Sequence, residues 1–274
     1  MKRLFQLLSA WPLPLLHLFG AALGWITFLG SPTYRRRFLA NAAQGGYGFA
    51  QVRRAVAEAG KLLAETPRLW FGAMPPVHWE QAGMIEALRA EGRGIVFLTP
   101  HLGCFEVTAR SYAAQFGPVT VLYRPARKPW LRDLVATSRS RPNMTAVPTT
   151  LSGVRQMLRA LKAGEAVGLL PDQVPPQGLG VWAPFFDREA YTMTLPARLV
   201  QQTGAVLLLV WGERLPGGRG YHVHVRRFEG ELAREPVEAA AQVNAEMERM
   251  VRAGPTQYLW GYARYKQPRE EVAA

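Results

Sequence analysis

His101 and Glu106 are the residues of this chain whose types and spacing point most directly to chemistry. The apolar run Ile95–Leu98 has the length and β-branched character of a buried strand, and a Thr-Pro pair ends it, which places His101 in a loop. If Glu106 lies in the first turns of the next helix, its carboxylate can orient the imidazole and leave the second ring nitrogen to take a proton from a hydroxyl group. The alternative is an accidental match between a strand-end histidine and an exposed helical glutamate.

The elements around this pair predict an α/β fold in which a central mixed sheet is flanked by helices. Apolar runs at 95–98, 119–123 and 166–170 predict strands, and helical periodicity is clearest at 151–162. Further helices are predicted over residues 79–90 and 130–139. Strands predicted at 205–211 and 221–228 are separated by a Gly-Gly turn, so we expect them to pair as a hairpin.

Three polar residues follow the ends of predicted strands: His101, Arg124 and Asp172. Open α/β sheets place their sites at the carboxyl ends of strands. We therefore expect these three side chains to belong to one site.

Composition indicates an anionic partner. The chain of 274 residues has 33 Lys and Arg against 20 Asp and Glu, a net charge of +13, and its hydrophobic fraction of 49% supplies a sizeable core. Nucleic acid, an anionic membrane surface and a phosphorylated substrate would all suit that charge. The basic residues occur in short groups without a recognition-helix or zinc-finger pattern, so we expect no nucleic-acid partner. A single cysteine excludes an internal disulfide.

The N-terminal segment predicts a membrane anchor. Residues 4–34 contain no Asp, Glu, Lys or Arg, and three arginines follow at 35–37. Such a stretch can cross a bilayer core, which needs ~20 apolar residues, although its prolines and His17 also suit a re-entrant anchor. A cleaved signal peptide or a buried core segment are the alternatives. We predict an anchor over residues 1–34 and one domain over 35–274, on the cytoplasmic side because of the arginines.

Cys104 and the pair His222 and His224 are two further candidates for chemistry. Cys104 lies three residues after His101 and could be an acyl-carrying nucleophile, but a small buried residue at a helix start is the commoner case. His222 and His224 share one face of a strand, yet the sequence places no cysteine or acidic residue close by, so we predict no metal site there. Dinucleotide, P-loop and serine-hydrolase motifs are missing from the sequence.

Five ordered blocks resemble the bacterial lipid A biosynthesis acyltransferases, which belong to the lysophospholipid acyltransferase superfamily. The first block is His101-x4-Glu106, and together the blocks extend over nearly the whole chain. The others are Tyr123-Arg124-Pro125, Leu170-Pro171-Asp172-Gln173, Val181-Trp182-Ala183-Pro184-Phe185-Phe186, and Gln257-Tyr258-Leu259-Trp260 with Arg264-Tyr265-Lys266. Five blocks in order are far more specific than one pair of residues.

The resemblance implies a glycerolphosphate-acyltransferase-like fold with an N-terminal membrane-anchoring helix. It implies an enzyme that moves a fatty acyl group from a thioester, acyl carrier protein or acyl-CoA, to a hydroxyl of a lipid A precursor or related glycolipid. No cofactor and no metal are implied. His101 would be the general base and Glu106 its orienting partner.

Other residues are expected to bind substrate. Backbone amides near Gly103 or an arginine would stabilise the oxyanion, and Arg124 would hold phosphates of the glycolipid. The resemblance also implies an aspartate and an arginine in the site, and Asp172 matches the first, while Arg139 and Arg141 both remain candidates for the second. The full expected set is Gly103, Arg124, Arg139, Arg141, Asp172 and Gln173.

The resemblance also implies partners and a location. The partners are acyl carrier protein, a glycolipid acceptor and anionic lipid of the cell inner membrane, with the catalytic domain on the cytoplasmic face. Two alternatives stay open: the same chemistry on a different lipid or amphiphile, and a catalytically silent protein that binds anionic membranes.

Overall fold

The computed structural model describes residues 2–123 and 141–270, and the first part of the chain is helical. Its helices are α1 Lys2–Ser9, α2 Leu13–Gly30, α3 Pro32–Gln44, α4 Phe49–Val52 and α5 Arg54–Phe71. Pro at the first or second position of α2 and α3 suits a helix start, because the missing N–H would have no intrahelical acceptor there.

A seven-stranded mixed sheet forms the centre of the molecule. The strands of the described residues are β1 Val77–Trp79, β2 Ile95–Leu98, β3 Val119–Tyr123, β4 Met144–Pro148, β5 Ala166–Leu169, β6 Gly180–Phe185, β7 Arg188–Met193, β8 Val206–Arg214 and β9 Tyr221–Arg227. The sheet has the order β1-β9-β8-β2-β5-β3-β4, while β6 and β7 form a separate antiparallel pair. Within the sheet only β8 and β9 pair antiparallel, which confirms the predicted hairpin.

Helices cover both faces of this sheet, as the α/β prediction requires. They are α6 Ala82–Ala90, α7 Phe105–Gln115, α8 Leu151–Lys162, α9 Leu195–Thr203 and α10 Pro236–Ala253. Alternate residues of β2 enter two different cores: Ile95 and Phe97 pack with the first, and Val96 and Leu98 with the second. A strand that is buried on both faces reads as a continuous apolar run, which is why β2 was recognisable in the sequence.

Helix α2 packs lengthwise on α5 through glycines. A Cβ at Gly60 would lie 1.9 Å from the carbonyl oxygen of Gly20, and a Cβ at Gly24 would lie 2.1 Å from that of Val56. Only glycine permits backbones to approach this closely. The N-terminal helices are therefore fixed onto the rest of the fold through α5.

Among the described residues, α2 is the one helix long and apolar enough to cross a membrane, with a mean hydropathy of 1.6 over 18 residues. Its inner face is buried against α5, and its outer face exposes large apolar side chains. These are Leu15, Leu18, Phe19, Ile26 and Leu29. The division into residues 1–34 and 35–274 remains a prediction.

The predicted helix over residues 79–90 was wrong at its start. Trp79 belongs to β1, where it pairs with Val223, and helix α6 begins only at Ala82. The Trp79 ring packs on Phe97 and Phe116 in the core, so tertiary packing overrides the local helical signal. The helix predicted over 130–139 lies outside the described residues.

Candidate active site

Two strand ends bring His101 and Asp172 together. Strands β2 and β5 are parallel neighbours in which Leu98 lies opposite Leu169. His101 follows β2 by three residues and Asp172 follows β5 by three residues, so the same offset carries both to one place at the carboxyl edge of the sheet. Arg124, the third strand-end residue, lies outside the described residues.

Asp172 holds His101 at two points. Its Oδ1 lies 2.7 Å from Nδ1 of the imidazole, and its Oδ2 accepts a hydrogen bond of 2.8 Å from the backbone N–H of His101. Burial raises the pKa of Asp172, but the neighbouring imidazole and these hydrogen bonds outweigh burial and lower it. The ionised carboxylate therefore favours a proton on Nδ1 and leaves the lone pair of the imidazole on Nε2.

A cavity of about 500 Å³ is lined by His101 and Gln173 but not by Asp172, so it lies on the side of the imidazole that carries Nε2. The Nε2 of Gln173 lies 3.0 Å from Nε2 of His101, so the side-chain amide donates to the imidazole lone pair. The Phe105 ring packs edge-on against the imidazole, with 4.9 Å between ring centroids. His101 is thus fixed on three sides and meets the cavity through the nitrogen that can accept a proton.

The cavity is mainly apolar. Its aliphatic wall is formed by Leu122, Leu151, Val154, Leu170, Val174, Leu179, Met193 and Leu195. Polar side chains lie among them, including Glu106 and Arg198. The volume falls within the ~300–1,000 Å³ of small-molecule sites. A hydrocarbon chain suits such a wall. The sequence did not locate the wall because its residues come from separate elements of the chain.

Glu106 lines the same cavity from the first turn of α7. Its Oε2 accepts a hydrogen bond of 3.3 Å from Nε1 of Trp70. Both ring nitrogens of His101 are occupied by Asp172 and Gln173. The imidazole-orienting contact predicted for Glu106 is therefore made by Asp172, and a catalytic role for Glu106 stays a prediction.

The amides near Gly103 are already committed to other carbonyls. The N–H of Gly103 donates to Gln257 at 3.0 Å, and that of Cys104 donates to Gly212 at 2.7 Å. The predicted role of these amides as oxyanion donors does not fit this geometry. Instead they fix the loop: Gly103 has a φ of +58°, and a Cβ there would lie 2.0 Å from the carbonyl oxygen of Gly212.

Arg214 supports the same loop from β8. Its Nη2 donates to the carbonyl oxygen of Gly103 at 2.8 Å, and its guanidinium binds both oxygens of Glu65 at 2.6–3.0 Å. His17 and Tyr221 also contact Glu65, at 3.0 and 2.8 Å. This cluster joins α2 and α5 to the loop that carries His101.

Glu65 and Arg214 keep their charges in this buried place. Burial alone raises the pKa of Glu65, but the Arg214 guanidinium and the hydrogen bonds bring it down to about 2. Burial lowers the pKa of Arg214, but the Glu65 carboxylate reverses this and raises it above its ordinary range. Sequence reasoning missed both residues, and its one signal was His17, an ionisable group inside an otherwise uncharged stretch.

Cys104 does not have the character of a nucleophile. The residue is fully buried, and burial followed by the Glu65 charge raises the pKa of its thiol well above the ordinary value. A neutral, enclosed thiol cannot attack a substrate in the cavity. The small-buried-residue interpretation of the sequence is therefore correct.

The remaining predicted arginines do not join His101 in the described part of the chain. Arg141 precedes β4, and its backbone bridges to Met144, which lies at the amino end of that strand. His101 follows the carboxyl end of β2, and β2 and β4 run in the same direction. Arg141 and His101 therefore lie at opposite ends of the strands. Arg139, like Arg124, lies outside the described residues, whereas Arg198, which sequence reasoning had not selected, lines the cavity.

Comparison with known proteins identifies the family. The family model described as bacterial lipid A biosynthesis acyltransferase matches residues 5–267. The chain belongs to this family, and it is an acyltransferase. The resemblance drawn from five sequence blocks is thereby confirmed.

Individual relatives agree with this membership. The chain is 31% identical over 216 residues to the lipid A biosynthesis lauroyltransferase of Escherichia coli (strain K12). This aligned region covers 77% of this chain and 70% of the relative. It is 27% identical over 212 residues to the palmitoleoyltransferase of the same organism, which covers 76% and 68%. A lipid A biosynthesis acyltransferase of Haemophilus influenzae is 26% identical over 184 residues, covering 64% and 55%.

Proposed function

We propose that this enzyme transfers a fatty acyl group from the thioester of acyl carrier protein to a hydroxyl of a lipid A precursor or related glycolipid. The observation that carries the proposal is the placement of His101. Its Nδ1 is held by Asp172 at 2.7 Å, while its Nε2 faces an apolar cavity of about 500 Å³. A base beside a hydrocarbon-lined space suits a reaction between an acyl chain and a hydroxyl group.

The proton path follows from the tautomer. Nε2 of His101 takes the proton of the acceptor hydroxyl as its oxygen bonds to the thioester carbonyl carbon. Asp172 stabilises the imidazolium that forms, because its carboxylate remains hydrogen-bonded to Nδ1–H. When the C–S bond breaks, the imidazolium returns the proton to the departing thiolate. The products are an ester and a free thiol.

Gln173 and helix α7 are the proposed oxyanion donors. The Gln173 amide now donates to Nε2 of His101, and the acceptor hydroxyl must displace it. The freed N–H then points into the cavity, where the carbonyl oxygen gains negative charge. Helix α7 starts beside His101 at Phe105, and the first-turn amides of a helix carry positive partial charge without intrahelical partners.

Glu106 is proposed to act together with His101 once substrate is bound, as the family signature implies. Asp172 already binds Nδ1, so we expect Glu106→Gln to lower the transfer rate less than Asp172→Asn does. Rates of the two variants, measured with the same acyl donor and acceptor, decide the point. The opposite order would make Glu106 the main partner of His101.

The outer face of α2 is proposed to meet the lipid of the inner membrane, with the catalytic domain on the cytoplasmic side. Leu18, Ile26 and Leu29 of that face are each more than 60% exposed. Arg36 and Arg37 follow directly on α3 with exposed side chains, and each would add ~1 kcal/mol of attraction to anionic headgroups. The net charge of +13 also suits acidic acyl carrier protein as the donor.

Mass spectrometry of membrane lipids tests the proposal. Cells that produce the wild-type protein should contain a lipid A species heavier by one fatty acyl group, and cells that produce His101→Ala should lack it. His78→Ala is the matched control, because His78 is exposed on β1. An acyl gain on a different lipid would support the proposed chemistry but identify a different acceptor. No acyl gain on any lipid would favour a membrane-binding protein without catalysis.

A further inference from the structure

A second group of histidines and carboxylates lies on β8, β9 and the residue that follows β1, near the β1 edge of the sheet. None of its members lines the cavity beside His101. The group consists of Glu80, His222 and His224, whose ligand atoms all lie within 4.8 Å of one another, with Glu213 beside them. The sequence had argued against a metal there because no acidic residue stood nearby. Strand pairing supplies two acidic residues, Glu80 and Glu213, from positions 144 and 11 residues before His224.

The sheet register builds this group. His222 and His224 alternate with Val223 on β9 and therefore share one face. Glu213 on β8 lies opposite His222, and Glu80 follows the short edge strand β1, with its N–H bonded to Val223. Three neighbouring strands thus each send a side chain to the same place.

The distances fit a small divalent cation. Nδ1 of His224 lies 3.0 Å from Oε2 of Glu80, and Nε2 of His222 lies 4.0 Å from the same oxygen. Ligands about 2.0–2.1 Å from a tetrahedral zinc ion stand roughly 3.3 Å apart, between these two values. Side-chain shifts of about 1 Å would bring the three ligand atoms, which lie within 4.8 Å of one another, to this spacing and leave a fourth position for water.

The charges also call for a cation. His224 stands between two carboxylates, with Nε2 at 2.9 Å from Glu213 and Nδ1 at 3.0 Å from Glu80. A neutral imidazole carries one N–H, so it satisfies Glu213 and turns a lone pair toward the oxygen of Glu80. That contact is repulsive unless a proton or a metal ion lies between the two atoms.

The donor set indicates the class of ion. Both histidines are half-buried and Glu80 is exposed, so an ion can reach the three side chains from solvent. Imidazole with carboxylate is a donor set of zinc-type ions, whereas calcium and magnesium prefer oxygen alone.

We propose that Glu80, His222 and His224 bind one divalent metal ion of the zinc class, with Glu213 as the carboxylate that orients His224. A carboxylate hydrogen-bonded to the far nitrogen of a ligating histidine is the usual arrangement around zinc. The ion would tie the three-residue edge strand β1 to β9. Its role is structural, so it is independent of the acyl-transfer proposal.

Direct titration of the full chain tests the site. The protein is purified in detergent without a polyhistidine tag, stripped with a chelator, and titrated with Zn²⁺ by calorimetry and with Co²⁺ by visible absorption. We expect one Zn²⁺ per chain, a tetrahedral Co²⁺ spectrum and a higher thermal midpoint with metal. No Zn²⁺ binding by the folded wild-type protein would overturn the proposal.

Variants separate this site from adventitious binding. His224→Ala should abolish the Co²⁺ spectrum, and Glu213→Gln should weaken Zn²⁺ binding by ~10–100-fold while the ligands remain. His78→Ala is the matched control, since His78 lies on β1 next to His222 but outside the three-ligand group. Equal loss in His78→Ala and His224→Ala, or equal binding in all variants, would contradict the assignment.

Discussion

Two histidine–carboxylate pairs in the described part of the chain, His101–Asp172 and His17–Glu65, differ in what lies around them. In the first, Nδ1 of His101 stands 2.7 Å from Asp172, and the side chains are 16% and 2% exposed. In the second, Nε2 of His17 stands 3.0 Å from Glu65, and the side chains are 7% and 0% exposed. The first imidazole lines a cavity and contacts Gln173 there through Nε2, whereas the second is enclosed between α2 and α5.

The comparison shows that the pair alone does not make a catalytic site. The Glu65 oxygens also accept hydrogen bonds from Arg214 and Tyr221, so its acceptor capacity is filled by neighbours in the fold. Asp172 accepts hydrogen bonds from the imidazole and the backbone N–H of His101 and also interacts with the Tyr258 side chain, and the imidazole lines the cavity. In the proposed mechanism the first pair acts on substrate, whereas the second holds the loop of the first through Arg214 and Gly103.

Replacing Asp172 by Asn should have the largest effect on catalysis. The Asn side chain can present an N–H to Nδ1, which moves the imidazole proton to Nε2 and removes the base from the cavity. We expect the transfer rate to fall by about 10²–10⁴-fold, the usual contribution of general-base catalysis. The check is a steady-state assay with a thermal midpoint beside it. An Asp172→Asn variant that keeps the wild-type rate would show that Asp172 does not set the protonation of His101 for catalysis.

Replacing Glu65 by Gln should have the largest effect on stability. The Arg214 guanidinium would stay buried without a compensating charge, and such losses cost ~3–5 kcal/mol. Glu58→Gln on the same helix is the matched control, because Glu58 contacts Arg214 at a longer 3.4 Å and is partly exposed. Unfolding of both variants in detergent measures the difference. Equal midpoints for the two would mean that Glu65 is not the main partner of Arg214.

The stability supplied by Glu65 should depend on pH in a defined window. Its pKa in the folded state is about 2, below the ordinary 4.5, so its contribution is complete above pH 4.5 and is lost as the pH falls toward 2. The depressed pKa of Asp172 acts in the same direction. The midpoint difference between wild type and Glu65→Gln should shrink as the pH is lowered through this window. A midpoint difference that grows as the pH falls would contradict the assignment of Glu65 as ionised in the folded protein.

Tyr221→Phe should have the smallest effect. The substitution removes one hydrogen bond of 2.8 Å to Glu65 and keeps the ring packing and the Arg214 contacts. We expect a loss of about 1 kcal/mol in unfolding free energy without a change in transfer rate per folded molecule. A large loss of rate would show that the enclosed cluster influences the chemistry directly.

Part of this account was predictable from the sequence, since periodicity and apolar runs are local. The strand at 119–123 and the helix at 151–162 have the predicted bounds. Strand β7 was not predicted, because its pairing with β6 across a turn at Phe186 and Asp187 defines it rather than its own pattern. Trp79 shows the same limit for β1.

The site divides in the same way. His101 was recognisable from its position after a buried strand, and Asp172 from its place after another. The sequence did not show which carboxylate orients the imidazole. Glu106 is five residues from His101 and Asp172 is 71 residues away, and only the strand register brings Asp172 to the imidazole. The enclosed Glu65–Arg214 pair spans 149 residues and left no local signal.

The most direct test compares His101→Gln with His17→Gln in the same detergent and assay. The account predicts a crossed result: His101→Gln loses the transfer rate and keeps the thermal midpoint, while His17→Gln lowers the midpoint and keeps the rate per folded molecule. A His17→Gln variant that loses the rate at an unchanged midpoint, or a His101→Gln variant that retains the rate, would contradict it.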